Sequence, residues 1–413
     1  MEDEKWECNY LVIGSGVSSY FAMSELLSLE KASTIVAVTE DHEYPYDRPP
    51  LSKEYFRDAV KRESLYFNDQ NYYKKGNLKM MLGNRVTSID PVKKLAYLEK
   101  GGNIKFDKAL IATGGSPRKA GIKGEEKRGV HYLRSLSDAD LIKKELSSSK
   151  SPLILGGGFI GIEIAASMAI LGKKPTVVEK RGYIWGSFLE KHVSTIIREY
   201  FEKKGVSFRL EDSIREFVGE GKVESAITEK GEKIEADFVL IAAGITPNID
   251  IALKSGIKTD NGIIVNEYLE TSCKDIYASG DVANIFDPSS GRMRRVEHWN
   301  NAMYTGKLAA RNMTGKREKF DFISTVWSDI FDLHLESAGY TVNSDKHLVR
   351  GKIEELSFAI IYLSDGRTEG YVAINRPEGE IAVLNEMTKR KTDITGKEDK
   401  FEDGSSNIQL MLS

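Results

Sequence analysis

The sequence predicts an α/β fold in which one strand–turn–helix unit is interrupted by a second copy of itself, with a small α+β domain after both. Three observations predict it. An apolar strand running through a glycine turn into a helix occurs twice, at Tyr10–Ser19 and at Pro152–Gly161. Each copy continues into a second apolar strand that ends at an acid, Glu40 or Glu179, and then into a three-strand meander. From about Phe322 the pattern changes to strands joined by an Asp365-Gly366 turn.

In the first copy, Tyr10–Ile13 is a continuous apolar strand that runs into Gly14-Ser15-Gly16-Val17-Ser18-Ser19. The following helix places Val17, Tyr20, Phe21, Ser24 and Leu27 on one face. Thr34–Val38 is the second strand. The meander is Val86–Ile89, Leu95–Leu98 and Ile104–Ala112, with turn signals at Asp90-Pro91 and Gly101-Gly102, and it ends at Thr113-Gly114-Gly115.

The second copy has a strand at Pro152–Leu155, a turn over Gly156–Gly161, a helix over Ile162–Leu171 and a strand at Pro175–Val178. Its meander is Ile214–Val218, Val223–Thr228 and Ile234–Ala242, ending at Ala243-Gly244. The expected domains are therefore 1–115 with 246–321, a second domain of 116–245 inserted into it, and 322–413. In the last, Phe358–Leu363 and Tyr371–Asn375 form a hairpin, and the polar stretch Thr392–Ser406 reads as a mobile loop.

Length and composition fit this division. A chain of 413 residues with 40% hydrophobic and 29% charged content suits two to three globular domains. The net charge of −3 argues against a nucleic-acid partner. No apolar run reaches the roughly 18 residues of a membrane span, and MEDEKWECNY lacks the layout of a signal peptide. A cytoplasmic protein without a stable membrane span is expected, monomeric or homodimeric. Cys8 and Cys273 have no metal-ligand or paired-thiol spacing, and the six histidines are scattered, so no metal site is expected.

The glycine turns carry the chemistry. Glycines allow a tight turn and close approach of a pyrophosphate, whose charge is favoured at a helix N-terminus, while the acid about 20 residues on accepts ribose hydroxyls. The second copy has each part: Gly156, Gly158 and Gly161 around Ile160, then Glu179. The first has Gly14, Gly16, the small Ser19 in third place, and Glu40. Both are thus Rossmann-like dinucleotide-binding units, with Thr113, Gly114 and Gly244 closing their meanders.

Seven further pieces bring a resemblance into view: RPPLSK (48–53), IATGGSPR (111–118), GGGFIGIE (156–163), YASGD (277–281), RVEHWNNA (295–302), VWSD (326–329) and NRP (375–377). In this order they resemble the FAD- and NAD(P)-dependent pyridine nucleotide–disulfide oxidoreductases. The similar branch holds the ferredoxin reductases, rubredoxin reductases and apoptosis-inducing factor. The resemblance implies that Gly14, Gly16, Ser19 and Glu40 hold the ADP half of FAD, with Arg48 and Arg118 nearby. It puts Gly280 and Asp281 at the ribityl–pyrophosphate region, and Glu297, His298 and Trp299 near the pyrimidine side; His298, in the EHW motif, reads as structural rather than as an acid–base residue. The resemblance implies that Lys53 reaches the flavin edge, that Glu163 pairs with it facing the nicotinamide, and that Trp327 lies where nicotinamide meets flavin. Lys53, Glu163 and Trp327 are the expected catalytic residues. Trp6 and Trp185 read as core.

Glu179 suits a free 2′-hydroxyl and repels a 2′-phosphate, so NADH is expected over NADPH, although Lys180 and Arg181 soften the repulsion. The stretch Pro49–Phe56 occupies the place where disulfide reductases of the family carry a redox thiol pair, and it contains no sulfur. Flavin is therefore expected to pass electrons directly to a separate acceptor, foremost a ferredoxin- or rubredoxin-type carrier. The alternatives are a redox-sensing interaction protein like apoptosis-inducing factor and an NADH oxidase using oxygen. A basic rim for an acidic carrier is expected among Arg57, Lys61, Arg62, Arg292, Arg294 and Arg295.

Overall fold

The computed structural model describes residues 5–74, 76–287, 291–341 and 344–412. Its packing separates into two compact units, one of Met1–Asp47, Arg62–Ser116 and Ile245–Ser324, the other of Arg48–Lys61, Pro117–Gly244 and Thr325–Ser413.

The first unit is built on a seven-stranded sheet. Lys5–Ile13 lies in its centre, parallel to Ile35–Val38 on one side and Asn103–Ile111 on the other. Leu11, Val12 and Ile13 are buried because both faces of the sheet are covered, which is why this strand is apolar without alternation. Ile13 pairs with both Val38 and Ile111, so the three strands end level and the turn at Gly14 leaves from one edge. Ile276–Ala278 adds to Asn103–Ile111 in parallel.

The helix Val17–Leu29 buries Ser18, Ser19, Ala22, Met23 and Leu26, a different face from the one shared by Val17, Tyr20, Phe21, Ser24 and Leu27. The reason is packing distance. The helix Trp299–Met313 crosses it so closely that a Cβ on Gly306 would lie 2.3 Å from Ser18 O, and only small side chains fit such a crossing. Tyr20 and Phe21 instead face an aromatic cluster, Tyr20 stacked on Phe67 at 4.4 Å and Phe21 edge-on to Trp299 at 5.7 Å.

In the second unit, Pro152–Leu155 lies between Thr176–Glu179 and Phe238–Ile241 in a five-stranded parallel sheet, with the helix Phe159–Ile170 after the glycine turn. The expected strand Ile234–Ala242 is two strands. Lys233–Glu235 pairs in a separate three-stranded sheet, and Phe238–Ile241 joins the parallel one. Asp237 causes the break: its carboxylate accepts from Ser149 Oγ and from the N–H groups of Lys150 and Ser151.

The same unit contains a five-stranded antiparallel sheet of Thr325–Ile330, Leu333–Gly339, Lys346–Lys352, Ser357–Ser364 and Arg367–Ile374, with the helix Glu378–Arg390. The expected hairpin is present, and Asp365 and Gly366 both take positive φ, as a two-residue turn of type I′ requires. The segment expected to be mobile is instead tied down. The buried Arg350 guanidinium donates to the carbonyls of Phe401, Asp403, Gly404 and Ser406, and its Nε to Glu380. A cation with five fixed donors collects the acceptors of a loop that has few apolar side chains to bury.

Candidate functional site

Each glycine turn shows why its first glycine is required. Gly14 has φ +122°, and a Cβ there would stand 2.3 Å from Ala112 O; Gly156 has φ +112°, and its Cβ would stand 2.4 Å from Ala242 O. Both turns deliver a helix N-terminus to the edge of a parallel sheet. The first helical bonds are Tyr20 N–H to Gly16 O and Ile162 N–H to Gly158 O. The earlier N–H groups in each helix therefore have no acceptor within it and can serve an anion. Gly16 and Gly158 are the N-cap residues, and no described atom lies within 4 Å of the position of a Gly158 Cβ. Ser19 is fully buried under the first turn, its Oγ without a partner. Ile160 is exposed, whereas Gly161 packs against Gly156 O.

The two acids differ. Glu179 is fixed: Oε2 accepts from Gly157 N–H at 2.6 Å and Oε1 from Arg181 N–H at 2.8 Å. Each oxygen keeps a lone pair for a ribose hydroxyl. Glu40 is exposed and only loosely drawn to Arg85, at 3.7 Å. Lys180 and Arg181 are exposed.

Around the first unit's sheet edge, Thr113 Oγ1 donates to Asn248 O and Asn248 Nδ2 to Thr113 O, while Asn248 N–H donates to Gly114 O. Gly280 has φ +71° and donates its N–H to Thr305 Oγ1. Arg295 donates to Asp281 O and pairs with Glu297 at 2.5 Å. His298 caps the helix Trp299–Met313, its Nδ1 against Ser324 Oγ at 2.9 Å. Burial, reinforced by the nearby Arg294 cation, pulls its pKa down to about 4, so it is neutral at ordinary pH. That agrees with a structural role. Trp299 Nε1 donates to Asp47 at 2.7 Å.

In the second unit, the short helix Pro49–Ser52 leads to Lys53, which is buried with Nζ 3.7 Å from Glu163 Oε1. Glu163 also accepts from Ser52 Oγ at Oε2 and from Ser328 Oγ at Oε1, each at 2.5 Å. The expected ion pair is thus present, together with two serines not expected from sequence, Ser52 in RPPLSK and Ser328 in VWSD. Trp327 is partly exposed on Thr325–Ile330, opposite Glu336. Arg118 donates its N–H to Gly244 O, and Arg48 caps the Pro49–Ser52 helix. Gly244 has φ +88°.

Neither cysteine contributes a redox thiol pair. Cys8 is buried in the core, which pushes its thiol up to about 12, and Cys273 is free. No metal-ligand cluster is found among the described residues. The expected basic rim is largely neutralised: Arg57 pairs with Glu54, Arg62 with Glu43, Arg294 with Asp287 and Arg295 with Glu297.

The family model for pyridine nucleotide-disulphide oxidoreductases matches residues 8–306. The chain belongs to this family. The family's reductase C-terminal domain matches residues 325–409. Rhodocoxin reductase of Rhodococcus erythropolis is 31% identical over 90% of this chain and 87% of its own length. A rubredoxin–NAD(+) reductase of Ectopseudomonas oleovorans is 29% identical over 91% of this chain and 98% of its own. Among solved structures, putidaredoxin reductase in its covalent complex with putidaredoxin superposes with a TM-score of 0.93 at 26% identity, covering 98% of each chain. The ferredoxin reductase for the CYP199A2 system of Rhodopseudomonas palustris superposes equally, with a TM-score of 0.93 at 25% identity over 98% of this chain and 100% of that one.

This member of the pyridine nucleotide-disulphide oxidoreductases is an oxidoreductase whose family implies FAD and NAD(H). The residues fit both cofactors. Two cradles that a Cβ would fill, two helix N-termini and a fixed carboxylate make a donor and acceptor set suited to two dinucleotides. No helix among the described residues is long and apolar enough to cross a membrane.

Proposed function

We propose that the chain is a cytoplasmic NADH-dependent reductase, monomeric or homodimeric, that passes electrons through FAD to a small carrier protein of ferredoxin or rubredoxin type. The observation that carries this reading is the sulfur-free stretch Pro49–Phe56, which contains a buried lysine, Lys53, paired with Glu163. Without a thiol relay the electrons leave from flavin, and the named relatives that act with rhodocoxin, rubredoxin and putidaredoxin support a protein acceptor.

In this reading residues 1–115 and 246–321 hold FAD, 116–245 hold NADH and 322–413 complete the reductase. Gly14, Gly16, Ser19, Glu40, Arg48, Thr113, Gly114, Arg118, Gly280, Asp281, Glu297, His298 and Trp299 serve FAD. Gly156, Gly158, Ile160, Gly161, Glu179 and Gly244 serve NADH. Bound FAD supplies the conversion from a two-electron hydride to single electrons. Lys53 would hold positive charge toward the flavin edge, Glu163 would draw that lysine by charge, and Trp327 would lie at the nicotinamide position. Glu179 accepts the ribose hydroxyls and disfavours a 2′-phosphate.

The test is anaerobic reduction of the flavoprotein by NADH, followed by separate additions of ferredoxins, rubredoxin, quinones and oxygen. Fast reoxidation by an iron–sulfur or rubredoxin carrier, with slow reaction toward oxygen, supports the reading. Fast peroxide formation in air with no carrier preference would replace it with an oxidase.

A further inference from the structure

Glu163 is held from three sides, and the distances rank its partners. The serine contacts of 2.5 Å lie at the short end for a hydroxyl on an ionised carboxylate. Lys53 at 3.7 Å is within reach of Coulomb attraction but beyond a hydrogen bond. The serines therefore set where the carboxylate sits, and the ammonium makes no hydrogen bond to it.

Both serines are fixed in turn. Ser52 O accepts from Ser167 Oγ at 2.7 Å, and Ser328 is fully buried on a strand whose next neighbour it faces at Leu335. Side chains alternate along a strand, so turning Ser328 toward Glu163 directs Trp327 and Asp329 to the other face. Asp329 is occupied there by His334, at 2.7 Å.

We propose that Ser328 and Ser52 are positioning residues for the Lys53–Glu163 pair, holding the carboxylate back so that the Lys53 ammonium keeps its donors for the group it faces. This rests on the reading above that the pair lines the hydride path. Removing the Ser328 hydroxyl leaves Oε1 without a donor in a buried place. The carboxylate then closes on Lys53 to ordinary charge-assisted distance, about 2.8 Å, and draws the ammonium away from its working position. Misplacement on that scale costs about ten- to a hundredfold in rate.

The test uses the flavin-loaded protein. Ser328→Ala is expected to lower the limiting rate of flavin reduction by NADH at least about tenfold, while the NADH concentration giving half that rate moves less than about threefold. The flavin midpoint potential should fall in the direction given by Lys53→Met. Ser328→Thr, which keeps the hydroxyl, should restore both. In a Glu163→Gln background Ser328→Ala should change the rate less than about twofold, because no carboxylate remains to be positioned. If Ser328→Ala does not fold, Ser52→Ala carries the same test. Wild-type rate and potential in the alanine variant, or an equal loss with and without Glu163, overturn the proposal alone. A wild-type protein that NADH does not reduce overturns the functional reading, and this one with it.

Discussion

Alanine at Gly158 separates what a ligand requires from what the fold requires. Gly158 sits at φ −82°, ψ −171°, which any residue adopts, and no described atom lies within 4 Å of the added Cβ. As an N-cap, alanine costs about 0.5–1 kcal/mol relative to glycine. The loss of freedom in the unfolded chain returns about 0.4–1 kcal/mol. The two nearly cancel, so the thermal midpoint should stay within about 2 °C of wild type. A pyrophosphate approaching the helix N-terminus meets the new methyl group and loses one or two charge-assisted hydrogen bonds, each worth about 1.5–3 kcal/mol. NADH binding should therefore weaken about ten- to a hundredfold or more. The assay is the concentration dependence of flavin reduction under anaerobic stopped flow, with flavin content and thermal midpoint measured on the same protein. Gly156→Ala is the contrast. Its Cβ would meet Ala242 O at 2.4 Å with φ +112°, so it should lose about 2–4 kcal/mol of stability along with binding. Gly158→Ala with wild-type NADH affinity would refute the assignment of this turn to the nucleotide.

Glu179→Gln should shift the ratio of kcat/KM for NADH over NADPH toward NADPH by about tenfold or more, because it removes the negative charge that two backbone N–H groups hold in place; steady-state kinetics with both nucleotides checks it. His298, pulled down to about 4 from an ordinary 6.5, leaves the unfolded chain binding more protons between those values. Stability should therefore fall as pH drops through that window, by up to about 3 kcal/mol from this group, and His298→Asn should flatten the pH dependence of the thermal midpoint there. Arg350→Met should cost about 2–4 kcal/mol by leaving the carbonyls of 401–406 without their donor, while Glu380 keeps Arg376; limited proteolysis should then cut near that segment first.

The elements that repeat were the most legible in the sequence. Strand, glycine turn, helix and acid are each local patterns, and the structure places Gly14, Gly156, Glu40 and Glu179 at the ends of parallel strands as the spacing implied. The burial of Val17–Leu29 was not legible, because that helix is apolar on both sides and its core face is chosen by a neighbour, Gly306, almost 300 positions away. The break at Asp237 depends on acceptors satisfied by Ser149–Ser151, a tertiary matter that β propensity does not record. The polar stretch from Thr392 looked mobile for lack of apolar residues, and only Arg350, on another strand, explains its order. At the site, Lys53 and Glu163 are legible through their motifs, whereas Ser52 and Ser328 lie in motifs too but only the fold turns their hydroxyls onto Glu163.

Glu163 draws its two hydroxyl partners from Ser52 and Ser328, which lie on opposite sides of it in the chain. Synthesis has a direction, so these partners become available at different times. At about 5–20 residues per second, roughly 14 to 55 s separate the emergence of Ser52 from that of Ser328. The first unit has a similar wait, since Ile276–Ala278 must arrive before Asn103–Ile111 has its outer neighbour. During that interval the sheet edge at Ala109–Ile111 and the polar cluster around Glu163 stay incomplete on the nascent chain. Such unpaired edges are where premature association begins. Coupling this site to Ser328 therefore makes the emergence of that strand, rather than the folding of the glycine turns, the step that completes the cluster around Glu163.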